Sequence, residues 1–216
     1  MIELFSDTKT KPTAAMRTAM ANAEVGDERA GEDPTVNRLV ERCAALLGKE
    51  AALYLPSGTM CNEIALAVHC RSGDEVLCDA TSHIIGFEGG GPAALAGVML
   101  NPIAGARGIF SADQLREKLH PDRPYAPRQR LVEVEQTSNL GGGAVWPLAA
   151  LHEVAHSAHA AGLATHGGAR GRGWASSRRP WQAGGPTAAA RAPRWPRAAT
   201  RRSMLKRVWS VALRPR

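Results

Sequence analysis

The chain has 216 residues and a formal net charge of +7, and its length is enough for one α/β domain with a full core. All 20 acidic residues lie at or before Glu153, whereas the last 63 residues carry 13 lysines and arginines. A mildly acidic body is therefore followed by a wholly basic tail, and this asymmetry excludes a uniformly basic protein.

Targeting and redox patterns point to one compartment. The start, "MIELFSDTKT", lacks the charged-then-apolar pattern of a signal peptide, and no apolar run approaches the roughly 18 residues of a membrane span. Cys43, Cys61, Cys70 and Cys78 form no C-x-x-C pair and no tight metal spacing, so we expect buried free thiols. These features predict a cytoplasmic protein with no membrane partner and no bound metal.

The first elements in chain order are polar loops and one strong helix. Residues 4–13 and 26–37 are rich in Asp, Ser and Thr, which predicts loops that either lie over a site or are simply solvated. The next segment predicts a helix with Asp33 as N-cap, Pro34 at its first position and Gly48 as its end. Its apolar residues follow the helical repeat and predict one stripe that faces the core: Val36, Leu39, Val40, Cys43, Leu46 and Leu47.

The rest of the body alternates strand and helix patterns. Strands are predicted in "AALYL", "EVLCD", "GVMLNPI", "RLVEVEQT" and "LATH", and helices in "SGTMCNEIALAVHC", "SADQLREKL" and "PLAALHEVAHSAHAAG". Strands separated by such helices indicate βαβ units and a mostly parallel sheet with helices on both faces. Ligands bind at the carboxyl ends of such strands, which directs attention to residues 57–59, 79–83, 135–137 and those after His166.

The organisation changes at about residue 167. From there to residue 216 the chain shows neither the helical nor the strand repeat of apolar residues. It is rich in Pro, Gly and Arg and has too little aliphatic content to form a core. Disorder is the expectation for such a segment. We therefore divide the chain into an N-terminal segment (1–30), a main domain (31–166) and a basic tail (167–216).

Two segments after predicted strands carry candidate chemistry. Ser57, Gly58 and Thr59 begin a predicted helix, where free backbone N–H groups, the helix dipole and two hydroxyls suit a phosphate, although a serine there is also an ordinary cap. His83 follows another strand and either stacks on a flat cofactor ring or is a solvated loop histidine. The run 89–91 is all glycine and allows close backbone approach to a ligand, or forms a turn.

Three further histidines are on one predicted helix. His152, His156 and His159 are spaced by four and three residues, which could hold a metal. Because no cysteine or suitably placed carboxylate completes a ligand set, a surface helix face is the favoured interpretation.

Together these motifs resemble one family. The segments "SDTKTKPT", "GEDPTVNRL", "LGKEAALYLPSGTMCN", "CDATSHI", "EGGGPAALAG", "VEQTSNLGGGAVWPL" and "GLATH" follow the order and spacing of the low-specificity threonine aldolases across residues 2–166. These are pyridoxal 5'-phosphate-dependent lyases with the aspartate aminotransferase fold, also called fold type I. The resemblance implies cleavage of threonine or a related β-hydroxy-α-amino acid to glycine and an aldehyde, with the cofactor ring as electron sink.

The resemblance also assigns residues and an assembly. It implies that Ser57, Gly58 and Thr59 bind the cofactor phosphate, and that His83 is a catalytic and cofactor-binding residue that stacks on the pyridine ring. It further implies that Ser6 contacts the substrate carboxylate, that residues 1–30 are an active-site segment and that residues 31–166 are a partial cofactor-binding large domain. Family members are typically homotetramers with sites shared between subunits, so a homo-oligomer is the implied assembly.

Several positions depart from the family pattern. Ala30 replaces a usual tyrosine, and Tyr125 lies near the position of an active-site histidine. The family continues "GLATH" as His-x-Asp-Gly-Ala-Arg, whose aspartate pairs with the pyridine nitrogen, but here "HGGAR" follows. Arg170 matches the family's cofactor-binding arginine only across a one-residue gap.

The family's Schiff-base lysine also lacks a counterpart. Lys206 is the only lysine after Lys118, and neither its flanks nor its spacing match. We therefore predict that the chain is a truncated or frameshifted product and is inactive. The alternative is a genuine basic extension whose tryptophans and positive charges bind nucleic acid.

Overall fold

The computed structural model describes residues 9–168 and the backbone of one further strand at 174–176. A 3₁₀ turn at Glu28–Ala30 and a π-helical turn at Pro92–Ala96 accompany the main elements. In chain order these elements are α1 (Ala14–Ala21), α2 (Pro34–Leu47), α3 (Gly58–His69), β1 (Glu75–Asp79), α4 (His83–Gly86), β2 (Met99–Ile103), α5 (Ala112–Lys118), β3 (Gln129–Glu135), α6 (Leu148–Ala160), β4 (Ala164–Gly168) and β5 (Trp174–Ser176).

The strands form one sheet in the order β2-β1-β3-β4-β5. The first four strands in this order pair in parallel, and β5 pairs antiparallel with β4. The register places Glu133 opposite His166 and Glu135 opposite Gly168. The mostly parallel sheet is therefore confirmed, and the carboxyl ends of β1, β3 and β4 lie at one edge.

Helices cover both faces of the sheet. On one face, α5 and α6 pack over Leu77 and Val132. On the other, α3 and α4 pack over Val76, Cys78 and Leu131. Because neighbouring strand residues point to opposite faces, β1 and β3 are buried on both sides, as central parallel strands require.

Local capping signals predicted helix ends well. Asp33 accepts hydrogen bonds from Thr35 N (2.9 Å) and Val36 N (2.8 Å), and Gly48 ends α2 with a left-handed φ of 60°. Ser111 and Gln114 form a reciprocal capping box at the start of α5. These boundaries agree with the sequence because caps depend on residues within three or four positions.

Two expectations from the sequence are wrong. Residues 51–55 ("AALYL") form no strand, because an extended segment needs a neighbouring strand and the described sheet provides none beside it. The apolar stripe of α2 is not core: Leu39, Leu46 and Leu47 are exposed, Leu46 by 71%, and Ala44 is the one buried residue of the helix. The helical period is correct, but the described residues leave this face largely uncovered.

The remaining boundaries stay predictions. Strand β5 lies inside the predicted tail, and apart from it and the end of β4 the range 167–216 lies outside the described residues. Within the described ranges, no helix is long and apolar enough to cross a membrane.

Candidate functional site

The start of α3 forms one wall of the candidate site. The Ser57 side chain caps the helix by accepting a hydrogen bond from Met60 N at 3.1 Å. Gly58 and Thr59 occupy the first two helical positions, whose N–H groups have no acceptor inside a helix. A Cβ built on Gly58 would meet nothing within 4 Å, so open space adjoins this turn. The turn therefore offers donors and a positive dipole end to an anion.

His83 forms a second wall, at the carboxyl end of β1. It is the first residue of α4, and its backbone N–H donates a short hydrogen bond to Glu135 Oε1 at the end of β3. Its side chain is 38% exposed, and its ring centroid lies 5.4 Å from that of Phe87. The imidazole is thus anchored at the sheet edge with part of its surface open, which differs from a freely solvated loop histidine.

A partly buried polar network connects α3 with His83. His83 Nδ1 lies 2.9 Å from Glu88 Oε1, and Asn62 Nδ2 of α3 donates to the same oxygen at 2.6 Å. Asn62 Oδ1 in turn lies 3.0 Å from Nε2 of His166 on β4. The network joins α3, α4 and β4 through residues for which the sequence predicted no role, except that His166 ends the last recognised motif.

Buried carboxyl groups surround this network. Burial, and then the neighbouring Glu88, raise the pKa of Glu63 to about 7. Burial, and then the charge of Glu135, raise the pKa of Glu133 to about 8. Burial also raises the pKa of Glu135, although the backbone N–H groups of His83 and Asn139 oppose it. Glu133 therefore favours its protonated form at neutral pH, and Glu63 does so at slightly acidic pH.

Two glycines fit closely against these carboxyl groups. A Cβ on Gly91 would collide with the Glu63 carboxyl, and one on Gly168 would lie 3.0 Å from Glu133 Oε1 and 3.8 Å from Asn62 Oδ1. Gly91 thus lets a side chain approach rather than a ligand, while Gly89 and Gly90 turn the chain with φ of 59° and 77°. A side chain at position 168 would project into the network, and glycine supplies none.

The structure describes four of the six sequence-predicted site residues. Ser57, Gly58 and Thr59 lie on the first turn of α3, and His83 is joined to that helix through Glu88 and Asn62. Ser6 and Arg170 lie outside the described residues.

The helix histidines and the cysteines form no second candidate site among the described residues. His159 Nε2 lies 3.2 Å from the Thr165 hydroxyl, and among the described residues no group of His, Cys, Asp or Glu is arranged to hold a metal ion. The four cysteines form no disulfide with one another, and the expected burial is correct for Cys70 and Cys78 but wrong for Cys43 and Cys61, which are half-buried.

Comparison with known proteins assigns the family. A family model described as beta-eliminating lyase matches residues 3–171. The low specificity L-threonine aldolase of Escherichia coli K12 is 42% identical over 167 residues, covering 77% of this chain and 49% of that protein. The probable low-specificity L-threonine aldolase 2 of Arabidopsis thaliana is 41% identical over 170 residues, covering 76% and 48%. The chain spans about half the length of the curated relatives it matches.

Solved structures support the fold. A putative L-allo-threonine aldolase from Listeria monocytogenes superposes with a TM-score of 0.57 at 20% identity, over 73% of this chain and 44% of that one. An aspartate aminotransferase from Thermus thermophilus gives 0.54 at 17% identity, over 70% and 39%. The predicted aminotransferase-like fold type I is therefore confirmed.

Proposed function

The chain belongs to the beta-eliminating lyase family, and we propose that its site is built for pyridoxal 5'-phosphate-dependent cleavage of threonine or a related β-hydroxy-α-amino acid. Lyases of this family, and the fold type I neighbours, depend on that cofactor. The observation that carries the proposal is the joining of an anion-binding helix start to a half-exposed imidazole through Asn62 and Glu88.

The described residues fit two parts of the cofactor. The free N–H groups of Gly58 and Thr59, with the hydroxyl groups of Ser57 and Thr59, match the donors that a phosphate requires. The partly open His83 ring provides a flat surface for a heteroaromatic ring. Bound there, pyridoxal phosphate supplies an electron-withdrawing ring that weakens bonds next to an amino group.

The protein's own contribution is binding and orientation. The α3 dipole and the Gly58 and Thr59 N–H groups would hold the phosphate and so position one end of the cofactor. The Glu135 carboxylate fixes the His83 backbone, so the imidazole lies at a set depth at the sheet edge. Such fixed positions favour one orientation of the reacting bond and so lower the entropy lost in the reaction.

We also propose that this chain does not complete the reaction. Strand β4 ends in Gly168, so no carboxylate at that position faces the cofactor-binding edge. The next candidate Schiff-base lysine, Lys206, lies outside the described residues, and its flanking sequence differs from the family's. The expected behaviour is therefore non-covalent cofactor binding without turnover. We also propose that the site is shaped for threonine or a related β-hydroxy-α-amino acid and that the chain assembles as a homo-oligomer.

The test compares pyridoxal 5'-phosphate with pyridoxal in a fluorescence titration of the full chain. The phosphate should strengthen binding by at least about tenfold, and Ser57→Ala should reduce that advantage because the cap that orders the turn is lost. Ser111→Ala, which removes the serine cap of α5, is the matched control and should leave binding unchanged. Equal binding of the two compounds would refute the phosphate site.

Borohydride reduction tests the proposed loss of turnover. Treatment of the loaded chain, followed by peptide mapping, should find no cofactor covalently attached at Lys49, Lys118 or Lys206. A reduced adduct at Lys206, or release of glycine from threonine, would contradict the proposed inactivity while leaving cofactor binding intact.

A further inference from the structure

We propose that Glu88 is a positioning residue that holds the His83 imidazole in one orientation and one tautomer, with the proton on Nδ1. That this orientation serves cofactor binding rests on the proposed function. The tautomer itself is inferred only from contacts among the described residues, so the tautomer and the cofactor binding can be tested separately.

The contact between Glu88 and His83 determines which ring nitrogen carries the proton. Glu88 Oε1 lies 2.9 Å from His83 Nδ1, and an ionised carboxylate can only accept hydrogen bonds. Nδ1 must therefore carry the proton, which leaves Nε2 of the neutral ring as an acceptor. The Glu88 side chain is fully buried, whereas that of His83 is 38% exposed, so the buried partner orients the exposed one.

Asn62 fixes Glu88 in turn. Its amide nitrogen donates to Glu88 Oε1 at 2.6 Å, while its amide oxygen faces His166 Nε2 at 3.0 Å. Because a carboxylate offers no donor, only this orientation of the amide satisfies Glu88. The amide therefore clamps the carboxylate from α3 and is itself held from β4.

Glu63 is a second buried carboxyl group next to Glu88. Burial, and then Glu88, raise the pKa of Glu63 to about 7, so below that pH the neutral form of this neighbour is favoured and repels no second carboxylate. The two polar contacts from Asn62 Nδ2 and His83 Nδ1 meet at Glu88 Oε1, which makes Glu88 the acceptor of the pair. The backbone N–H of His83 is bound to Glu135, so His83 is held through its main chain as well as through its ring.

Nitrogen NMR of the histidine rings measures this tautomer directly. Long-range ¹H–¹⁵N spectra of the full chain, recorded without cofactor at a pH where the ring signals no longer change, separate protonated from unprotonated ring nitrogens, and His83→Asn assigns the signals. The wild type should show a protonated Nδ1 and an unprotonated Nε2. Glu88→Leu should move the Nδ1 signal toward the unprotonated region, whereas Glu88→Gln, whose amide oxygen still accepts, should retain the wild-type pattern.

The controls keep the outcomes distinct. Glu41→Leu, an exposed position on α2, should change no His83 signal, and Asn62→Ala should produce a mixture of tautomers because Glu88 loses its clamp. A wild-type His83 protonated on Nε2 would overturn the inference without any variant, as would an unchanged pattern in Glu88→Leu. A chain with the expected tautomer that fails to bind pyridoxal phosphate would refute the proposed function alone.

Discussion

Replacing Glu133 with Gln should stabilise the protein, and increasingly so as the pH rises. The Glu133 side chain is fully buried on β3, and neither of its oxygens has a hydrogen-bond partner among the described residues. Burial and the neighbouring Glu135 raise its pKa from 4.5 to about 8. The folded chain therefore holds a proton that the unfolded chain has already released.

The sign and size of the effect follow from linkage. Between these two pKa values the folded state binds more protons than the unfolded state. The free energy of unfolding therefore falls as the pH rises from about 4.5 to about 8. Each pH unit in that window corresponds to about 1.4 kcal/mol, so the group removes roughly 3 kcal/mol by pH 7. Between about pH 6 and about pH 8 the wild type should lose about 2 kcal/mol more than Glu133→Gln.

Urea unfolding followed by circular dichroism at those two pH values measures the difference. The free energy of unfolding of Glu133→Gln should depend less on pH, while Glu117→Gln, an exposed control on α5, should follow the wild type. Subtracting one protein from the other also removes the contribution of His69, whose pKa burial and Arg130 lower to about 4. Equal pH dependence in the wild type and Glu133→Gln would refute the assignment of a buried, proton-holding carboxyl group.

Three other outcomes are expected. Leu77→Ala should lower the free energy of unfolding by about 2–5 kcal/mol in chemical denaturation, because it opens a cavity beneath α5 and α6; a loss below about 1 kcal/mol would argue against this core. Leu46→Lys should reduce concentration-dependent self-association in light scattering, because the side chain is 71% exposed on an apolar helix face; a wild type that is monodisperse and monomeric would contradict this. Gly168→Asp should destabilise the fold more at high pH than at low pH in thermal melts, because its carboxylate would crowd Glu133, and Glu133→Gln should relieve the loss; a pH-independent effect would indicate steric strain instead.

Local interactions could be predicted from the sequence. Asp33 and Gly48 predicted the two ends of α2 because a cap contacts backbone groups only a few residues away. The predictions for residues 51–55 and for Leu46 were wrong, since a strand or a core face depends on what lies beside it. The position of His83 after a strand end predicted its place at the sheet edge, but its partners could not be predicted.

Short motifs in order along the chain were enough to predict the alternation of helices and strands, the helix start at Ser57–Thr59 and the family. The groups that surround His83 could not be predicted in this way, because they depend on how distant segments pack together. Asn62 reaches Glu88 across 26 residues and His166 across 104, and the parallel sheet brings them together because it aligns the ends of strands that are distant in sequence. The glycine at position 168 acquires its meaning in the same way, from the carboxyl groups that β3 places beside it.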